Sequence, residues 1–273
     1  MYNLKKRKNI KIIILLSLLF CTQNISFAEL TMPSAVASDI SAKGYTPDEN
    51  GFYKALQQGN LSVVSVFLDG NIYINIQDSY GRTPAYIASA AGNVKLLDLL
   101  LFNGADINIR TNNGKTPLMV AIEAKSFEAA KLLIDRNANV RAFDSKERTP
   151  LHYAVMNNQT ETAEYLISKF CDIDAPDENG NSPLFYATGK NMEMTKFLIK
   201  HGADKDLQNN EGKTPLHKAV INCDYDYVKY FIDEGANVNI PDNSFHTPIY
   251  YAKNKGYEDI YSLLLENGAK KTD

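Results

Sequence analysis

Apolar and polar positions along this chain alternate on a long period. From about residue 50 onward, two short helical patterns and a polar stretch follow one another, and the cycle then restarts roughly one turn of the same pattern later. The second helix of each cycle is the plainest. Apolar pairs stand one helical turn apart: Val63-Val64 with Phe67-Leu68, Leu96-Leu97 with Leu100-Leu101, and Ala129-Ala130 with Leu133-Ile134. The same arrangement returns at Thr162-Ala163 with Leu166-Ile167, Tyr227-Val228 with Phe231-Ile232, and Ile260-Tyr261 with Leu264-Leu265. Such spacing puts one apolar stripe on one face of a helix, so each of these segments predicts a helix buried along that face.

The period comes from alanine. Ala55, Ala88, Ala121, Ala154, Ala187, Ala219 and Ala252 lie 33 residues apart except for one step of 32. A short side chain at one phase of a long repeat is what stacked helices need where their backbones approach closely. Five residues before six of these alanines stand Thr83-Pro84, Thr116-Pro117, Thr149-Pro150, Ser182-Pro183, Thr214-Pro215 and Thr247-Pro248. A hydroxyl can accept from an orphan amide of the first turn, and proline at the first helical position gives up only a donor that has no partner there, so each pair predicts a helix start. After the second helix come Gly104-Ala105-Asp106, Gly202-Ala203-Asp204 and Gly235-Ala236-Asn237, where glycine can take the left-handed conformation that stops a helix. The loops between units carry the turn formers Asp78, Asp144, Asp177 and Asp242, often with Gly81, Gly114, Gly180 or Gly212.

The segments Thr149-Pro150-Leu151-His152-Tyr153-Ala154 and Thr214-Pro215-Leu216-His217-Lys218-Ala219, with the Gly-Ala-Asp stops, resemble the ankyrin repeat over roughly residues 45–273. The resemblance implies an all-α repeat solenoid: a curved stack of helix pairs with projecting β-hairpin fingers, whose fingers and first helices form a concave face that grips protein partners. The helix-pair units fall near residues 50–82, 83–115, 116–148, 149–181, 182–213, 214–246 and 247–273. Some positions depart from the pattern. Asn50-Gly51 stands where other units have Thr-Pro, which reads as an N-terminal cap; Glu147 and Phe245 replace the finger glycine; Phe170-Cys171 replaces Gly-Ala; and the fifth unit lacks one residue between Ala187 and Leu198. Local irregularity is expected at these places. The polar finish Glu266, Asn267, Lys270 and Lys271 suits the end of a stack.

The N-terminus changes the setting. Lys5, Lys6, Arg7, Lys8 and Lys11 precede the apolar run Ile12 to Phe20, and a more polar run leads to Ser26-Phe27-Ala28. These are the three parts of a secretory signal, with cleavage expected before Glu29 and an exported protein, periplasmic or secreted, as the result. A membrane anchor is the alternative, but the run is short against the roughly 20 residues of a spanning helix. Lipidation at Cys21 is disfavoured by Phe20, which sits where a small residue is wanted. Residues 29–44, with Pro33 and many small side chains, read as a flexible leader. Loss of residues 1–28 takes the net charge from −3 to −8, with 24 Lys and Arg against 32 Asp and Glu. That balance argues against nucleic acid as a partner. Cys171 and Cys223 lie in units two apart, on the order of 20 Å at the usual helix spacing, so no internal disulfide is expected. A monomer with no membrane contact after cleavage is the expected state.

A catalytic or metal reading of the four histidines fails. His152 and His217 occupy one phase at which other units carry Tyr86, Met119, Phe185 and Tyr250, an exchange no ligand would tolerate. They read as packed, hydrogen-bonded structural residues; His201 and His246 have no Cys or His partner at metal spacing. No phosphate loop, serine elbow or CxxC is present. Paired acids such as Asp224 with Asp226 and Glu258-Asp259 read as helix-start charges. No catalytic residue, cofactor or metal is expected.

The fingers hold the candidate contact residues. One position before each Thr-Pro carries Arg82, Lys115, Arg148, Asn181, Lys213 and His246, a largely basic row on an acidic protein that could steer an acidic partner. Tyr80, Phe143 and Phe245 are aromatic where polar loop residues are expected, as interface anchors are; the other reading folds Phe143 or Phe245 back onto a neighbouring finger. Tyr153, Tyr186 and Tyr251 share one first-helix position, open to either an extension of that patch or half-buried packing. With Arg110, the candidate partner-binding set is Tyr80, Arg82, Arg110, Lys115, Phe143, Arg148, Tyr153, Lys213 and Phe245. The functional expectation is an exported, non-enzymatic scaffold that holds a protein partner. A membrane-tethered periplasmic scaffold or chaperone for an exported enzyme, and a cryptic hydrolase or metal enzyme, are the alternatives.

Overall fold

The computed structural model describes residues 32–271, so the proposed signal segment lies outside the described residues. Fifteen helices follow one another among them: α1 (Ser34–Ala42), α2 (Glu49–Gln57), α3 (Leu61–Asp69), α4 (Pro84–Ala90), α5 (Val94–Phe102), α6 (Pro117–Glu123), α7 (Phe127–Asp135), α8 (Pro150–Met156), α9 (Thr160–Ser168), α10 (Pro183–Ala187), α11 (Met192–Lys200), α12 (Pro215–Ile221), α13 (Tyr225–Asp233), α14 (Pro248–Lys255) and α15 (Glu258–Glu266). From α2 onward each even-numbered helix opens a unit and the next closes it. First helices pack on first helices along the whole stack. The seven repeating alanines are all buried at these contacts, and the second-helix stripe is buried beside them, for example Leu96, Leu97 and Leu100 or Val228 and Phe231. Each buried leucine or phenylalanine contributes about 1.5–3 kcal/mol, and the stack repeats that contribution from unit to unit in one continuous core.

The helix starts have the chemistry that Thr-Pro supplies. Thr83 Oγ1 accepts from Tyr86 N–H at 3.2 Å, Thr116 from Met119 at 3.3 Å and Ser182 from Phe185 at 3.3 Å. Most second helices are capped in the same way, by Asn60, Asn93, Ser126, Asn191 and Asp224. The first unit differs. Its helix begins at Glu49 under Asp48, whose carboxylate accepts from Gly51 N–H at 2.9 Å. Gly51 belongs there for steric reasons, since a Cβ would stand 1.9 Å from the Thr46 carbonyl oxygen.

Residues 34–42, expected within a flexible leader, are a correction: they form α1. Val36 and Ile40 lie one turn apart, Ile40 is fully buried, and the helix packs on α3. Gly70 permits the approach, because a Cβ there would meet Val36 at 2.9 Å and Met32 at 3.0 Å.

The fingers are tight turns, and no strand forms among the described residues. Gly81 N–H donates to Asp78 O at 2.8 Å and Asp78 N–H to Arg82 O at 3.1 Å. The Asp78 carboxylate then takes the amides of Tyr80 and Arg82, both at 2.9 Å. A side chain thus satisfies amides that a longer hairpin would pair with backbone. Successive fingers join through one backbone bond each: Asn112 to Tyr80 O, Ser145 to Asn113 O, Glu178 to Lys146 O, Asn210 to Asn179 O and Asn243 to Glu211 O, at 3.0–3.1 Å.

Irregularity does not appear at Glu147, Phe170 or Phe245. They hold the left-handed backbone of the glycines they replace, with φ of 58°, 59° and 64°, at a cost of roughly 1–2 kcal/mol each. It appears in the fifth unit, where the one-residue deletion stops α10 at Ala187 and Thr188 turns extended at φ −59°, ψ 126°. The shortened helix leaves Phe185 O to Lys218 Nζ, which donates to it. Ala187 O keeps the amides of Lys190 and Asn191 at 3.0 and 3.1 Å and takes Tyr227 Oη in addition at 3.4 Å. Both side chains come from the next unit.

Candidate protein-binding face

The finger loops are held to the first helices by a repeated bracket. Asp144 is 2 % exposed. Its carboxylate accepts from the amides of Lys146 and Arg148, from the Arg148 guanidinium at 2.7 Å, and from Tyr153 Oη at 2.7 Å. Burial works to raise this carboxyl, but the hydrogen bonds from Arg148, Tyr153 and the amides prevail and hold it below the usual carboxylate range. Nine-residue spacing repeats the tyrosine contact, at Asp177 with Tyr186 (2.6 Å) and at Asp242 with Tyr251 (2.5 Å). Burial first, and then the neighbouring carboxylate, pushes Tyr186 and Tyr251 up to about 12 and Tyr153 higher still. A tyrosine in this bracket is a hydrogen-bond donor that fixes finger geometry.

Tyr153 is therefore a correction to the candidate set. It is 3 % exposed, and Lys115 and Arg148 lie over its ring at 5.3 and 5.1 Å. No partner reaches it without displacing that packing. The basic row is a second correction, since its cations are neutralised within the chain. Arg82 pairs with Asp78 (2.7 Å), Arg148 with Asp144 (2.7 Å), Lys115 with Glu123 (2.7 Å) and Lys213 with Glu211 (2.5 Å). Four compensated pairs make a weak steering field. Their work is local, tying the base of each finger.

The aromatic candidates stand in the open. Tyr80 is 67 % exposed, Phe143 50 % and Phe245 87 %. None is folded under a neighbour, although Arg82 lies over the Tyr80 ring and Arg110 over the Phe143 ring, each at 5.0 Å. Arg110 is exposed and also donates to Gly114 O at 3.1 Å. Between the finger that carries Asp144 and the one that carries Asp177 the surface opens into a cavity of about 360 Å³, lined by Val140, Arg141, Phe143, Glu147, Thr149, Asp172, Ala175 and Pro176. Arg141 and Phe170 were not among the candidates. Arg141 donates to Phe170 O at 2.8 Å, and the Phe170 ring is 80 % exposed. The replacement of Gly-Ala by Phe170-Cys171 was the sequence signal that pointed there.

His152 and His217 tie the first helix to the finger that closes the same unit. Each is fully buried, takes the amide of the helix-opening threonine on Nδ1 at 3.2 Å, and so carries its proton on Nε2. That nitrogen donates to a carbonyl of the next finger, Asn181 O at 3.0 Å or His246 O at 3.1 Å. Burial pushes both imidazoles below their ordinary range, so they stay neutral. Both ring nitrogens are occupied, which leaves neither for a metal. No cluster of three or more metal-ligating side chains occurs among the described residues, nor is any helix among them long and apolar enough to cross a membrane.

A stack of this kind, closed by threonine-histidine boxes and turned at aspartate-held fingers, defines a class of repeat scaffold. The family profile described as Ankyrin repeats (3 copies) matches residues 24–111, 52–144, 87–177, 142–209, 171–242 and 189–273, and the chain belongs to that family. Among solved structures, it is similar to the ankyrin repeat domain of Bcl-3, described as a unique member of the IkappaB protein family, with a TM-score of 0.70 and 28 % identity over 77 % of this chain and 97 % of that one. No curated protein matches.

Proposed function

We propose that this chain is an exported, non-enzymatic ankyrin-repeat scaffold, periplasmic or secreted, that holds a protein partner across its fingers and first helices. The observation that carries the reading is the trio Tyr80, Phe143 and Phe245, large rings left exposed on loops whose turns are held by the carboxylates of Asp78, Asp144 and Asp242. Rigid exposed aromatics lose little entropy on contact, and fingers already ordered by aspartate need no rearrangement. The N-terminal run of five cations, nine largely apolar residues and Ser26-Phe27-Ala28 supports export.

A photo-crosslinking amino acid placed at Tyr80 or Phe245 in the full chain, expressed in its own cell type, is expected to give one adduct of discrete mass. The same group at Lys229, exposed on the second helix of the sixth unit, is expected to give none. Equal labelling from both sides would overturn the assignment of the face. N-terminal sequencing of the mature protein is expected to begin at Glu29, and a chain retaining Met1 in the envelope fraction would remove export from the reading.

A further inference from the structure

Three departures from the repeat meet at one junction. Arg141 stands where the other units place Asn75, Asn108, Asp174, Asp206 and Asn239, whose side chains accept an amide of the following unit. Glu147 takes the left-handed finger position that Gly81, Gly114, Gly180 and Gly212 hold elsewhere, and Phe170 takes a left-handed helix stop. The left-handed backbone alone does not single out this junction, since Phe245 holds the same finger position and Asn71 and Asn137 the same helix stop; the coincidence with Arg141 does. The arginine also changes the join: it reaches Phe170 O with its guanidinium instead of accepting an amide, and the cavity of about 360 Å³ lies beside it. That volume suits one or two side chains of a partner.

Charge says which side chains. Of the finger cations, Arg82, Lys115, Arg148 and Lys213 are neutralised by carboxylates of the chain. Arg110, Arg141, Lys146 and Lys205 are not in any ion pair among the described residues; the first three lie on the neighbouring fingers that carry Thr111 and Asp144. Arg110 lies over the Phe143 ring that forms a wall of the cavity, and Arg141 forms another wall. Val140, Ala175 and Pro176 add apolar lining; Glu147 and Asp172 also line the cavity and oppose a negative ligand there. We infer that this groove takes an acidic, extended peptide segment of a protein partner, with one aromatic or aliphatic side chain seated against Phe143 and flanking carboxylates on Arg110 and Arg141. The inference rests on the binding face proposed above and narrows it to three adjoining fingers and one chemistry of partner.

The test uses the full chain and a short fluorescein-labelled peptide of alternating Glu and Ser around a central Phe, with two counterparts, one carrying Lys for Glu and one Ala for Phe. Fluorescence anisotropy is expected to rise with the acidic Phe peptide and to weaken at least about fivefold with either counterpart. Arg110→Gln and Phe143→Ala are each expected to cost a similar factor, Lys213→Gln to change nothing, and Glu147→Gln to tighten binding. Arg110→Glu should reverse the preference toward the Lys peptide. Because Arg141→Gln also removes the contact with Phe170, it is read only beside its melting curve. No anisotropy change at about 1 mM protein, an equal response to the Lys peptide, or equal losses with Lys213→Gln would overturn the inference. A crosslinked adduct at Tyr80 together with a peptide that does not bind would remove the groove assignment and leave the broader face standing; peptide binding with no adduct at any finger would do the reverse.

Discussion

The fifth unit and the junction between the Asp144 and Asp177 fingers both break the repeat, and they break it differently. In the fifth unit the change is internal. A missing residue ends α10 early, and the next unit answers with Lys218 on Phe185 O and Tyr227 on Ala187 O. At the finger junction the change is external: Arg141, Glu147 and Phe170 replace the consensus residues, the finger-to-finger bond from Glu178 to Lys146 survives at 3.0 Å, and a groove remains. A buried carbonyl without a donor costs about 1–3 kcal/mol, so an interior departure must be compensated for the stack to hold. A groove open to water carries no such penalty. The compensated break belongs to the scaffold; the uncompensated one leaves open surface.

That contrast can be broken most forcefully from the inside. Tyr227→Ala removes a buried ring and one of three donors to Ala187 O, and unfolding in denaturant is expected to show a loss of roughly 3–5 kcal/mol; a loss near zero would mean the ring adds no packing at the shortened helix. Lys218→Met keeps the packing of the side chain and removes only the ammonium, so about 1 kcal/mol is expected from the same measurement. Acid titration sharpens the contrast further. His152 and His217 are held below their ordinary value of 6.5 by burial. The unfolded chain therefore binds protons that the folded chain refuses, and stability falls as pH drops through 6.5. Replacing both by glutamine is expected to remove that limb between 6.5 and the carboxylate range, leaving the later loss caused by protonation of Asp144 and Asp242, whose carboxyls are held low. The smallest effects are at the surface. Tyr80→Ala with Phe143→Ala is expected to move the melting temperature by less than the error of the scan while weakening partner capture. Maleimide at neutral pH is expected to label exposed Cys223 well before Cys171, whose thiol burial pushes up to about 11; peptide mapping reads the order.

Much of the scaffold was legible because each signal recurs at one phase. One Thr-Pro is a weak helix start, but five of them and one Ser-Pro, each five residues ahead of a buried alanine, leave little freedom. What was missed depends on contacts between units. Nothing local shows that Lys115 reaches Glu123 or that Arg110 covers Phe143. The bracket was readable in principle: Asp144-Tyr153, Asp177-Tyr186 and Asp242-Tyr251 share a spacing of nine, and where Asn209 replaces the aspartate the tyrosine becomes Lys218. Likewise Val36 and Ile40, one turn apart, announced α1 within a stretch of small residues. The finger aromatics were legible because rings on polar loops stand out against composition.

The row of backbone bonds between fingers sets how such a chain can change length. Each rung joins positions one unit apart, so excising or copying a whole unit would bring Tyr80 O to face the amide of Ser145 as readily as that of Asn112. Any other insertion or loss shifts the rungs out of step unless it is swallowed elsewhere. The single 32-residue step obeys this: its missing residue was taken from the helix, and the rung between Asn179 and Asn210 closed at 3.0 Å. Recombination can thus resize the array in whole modules while the comb of fingers stays aligned.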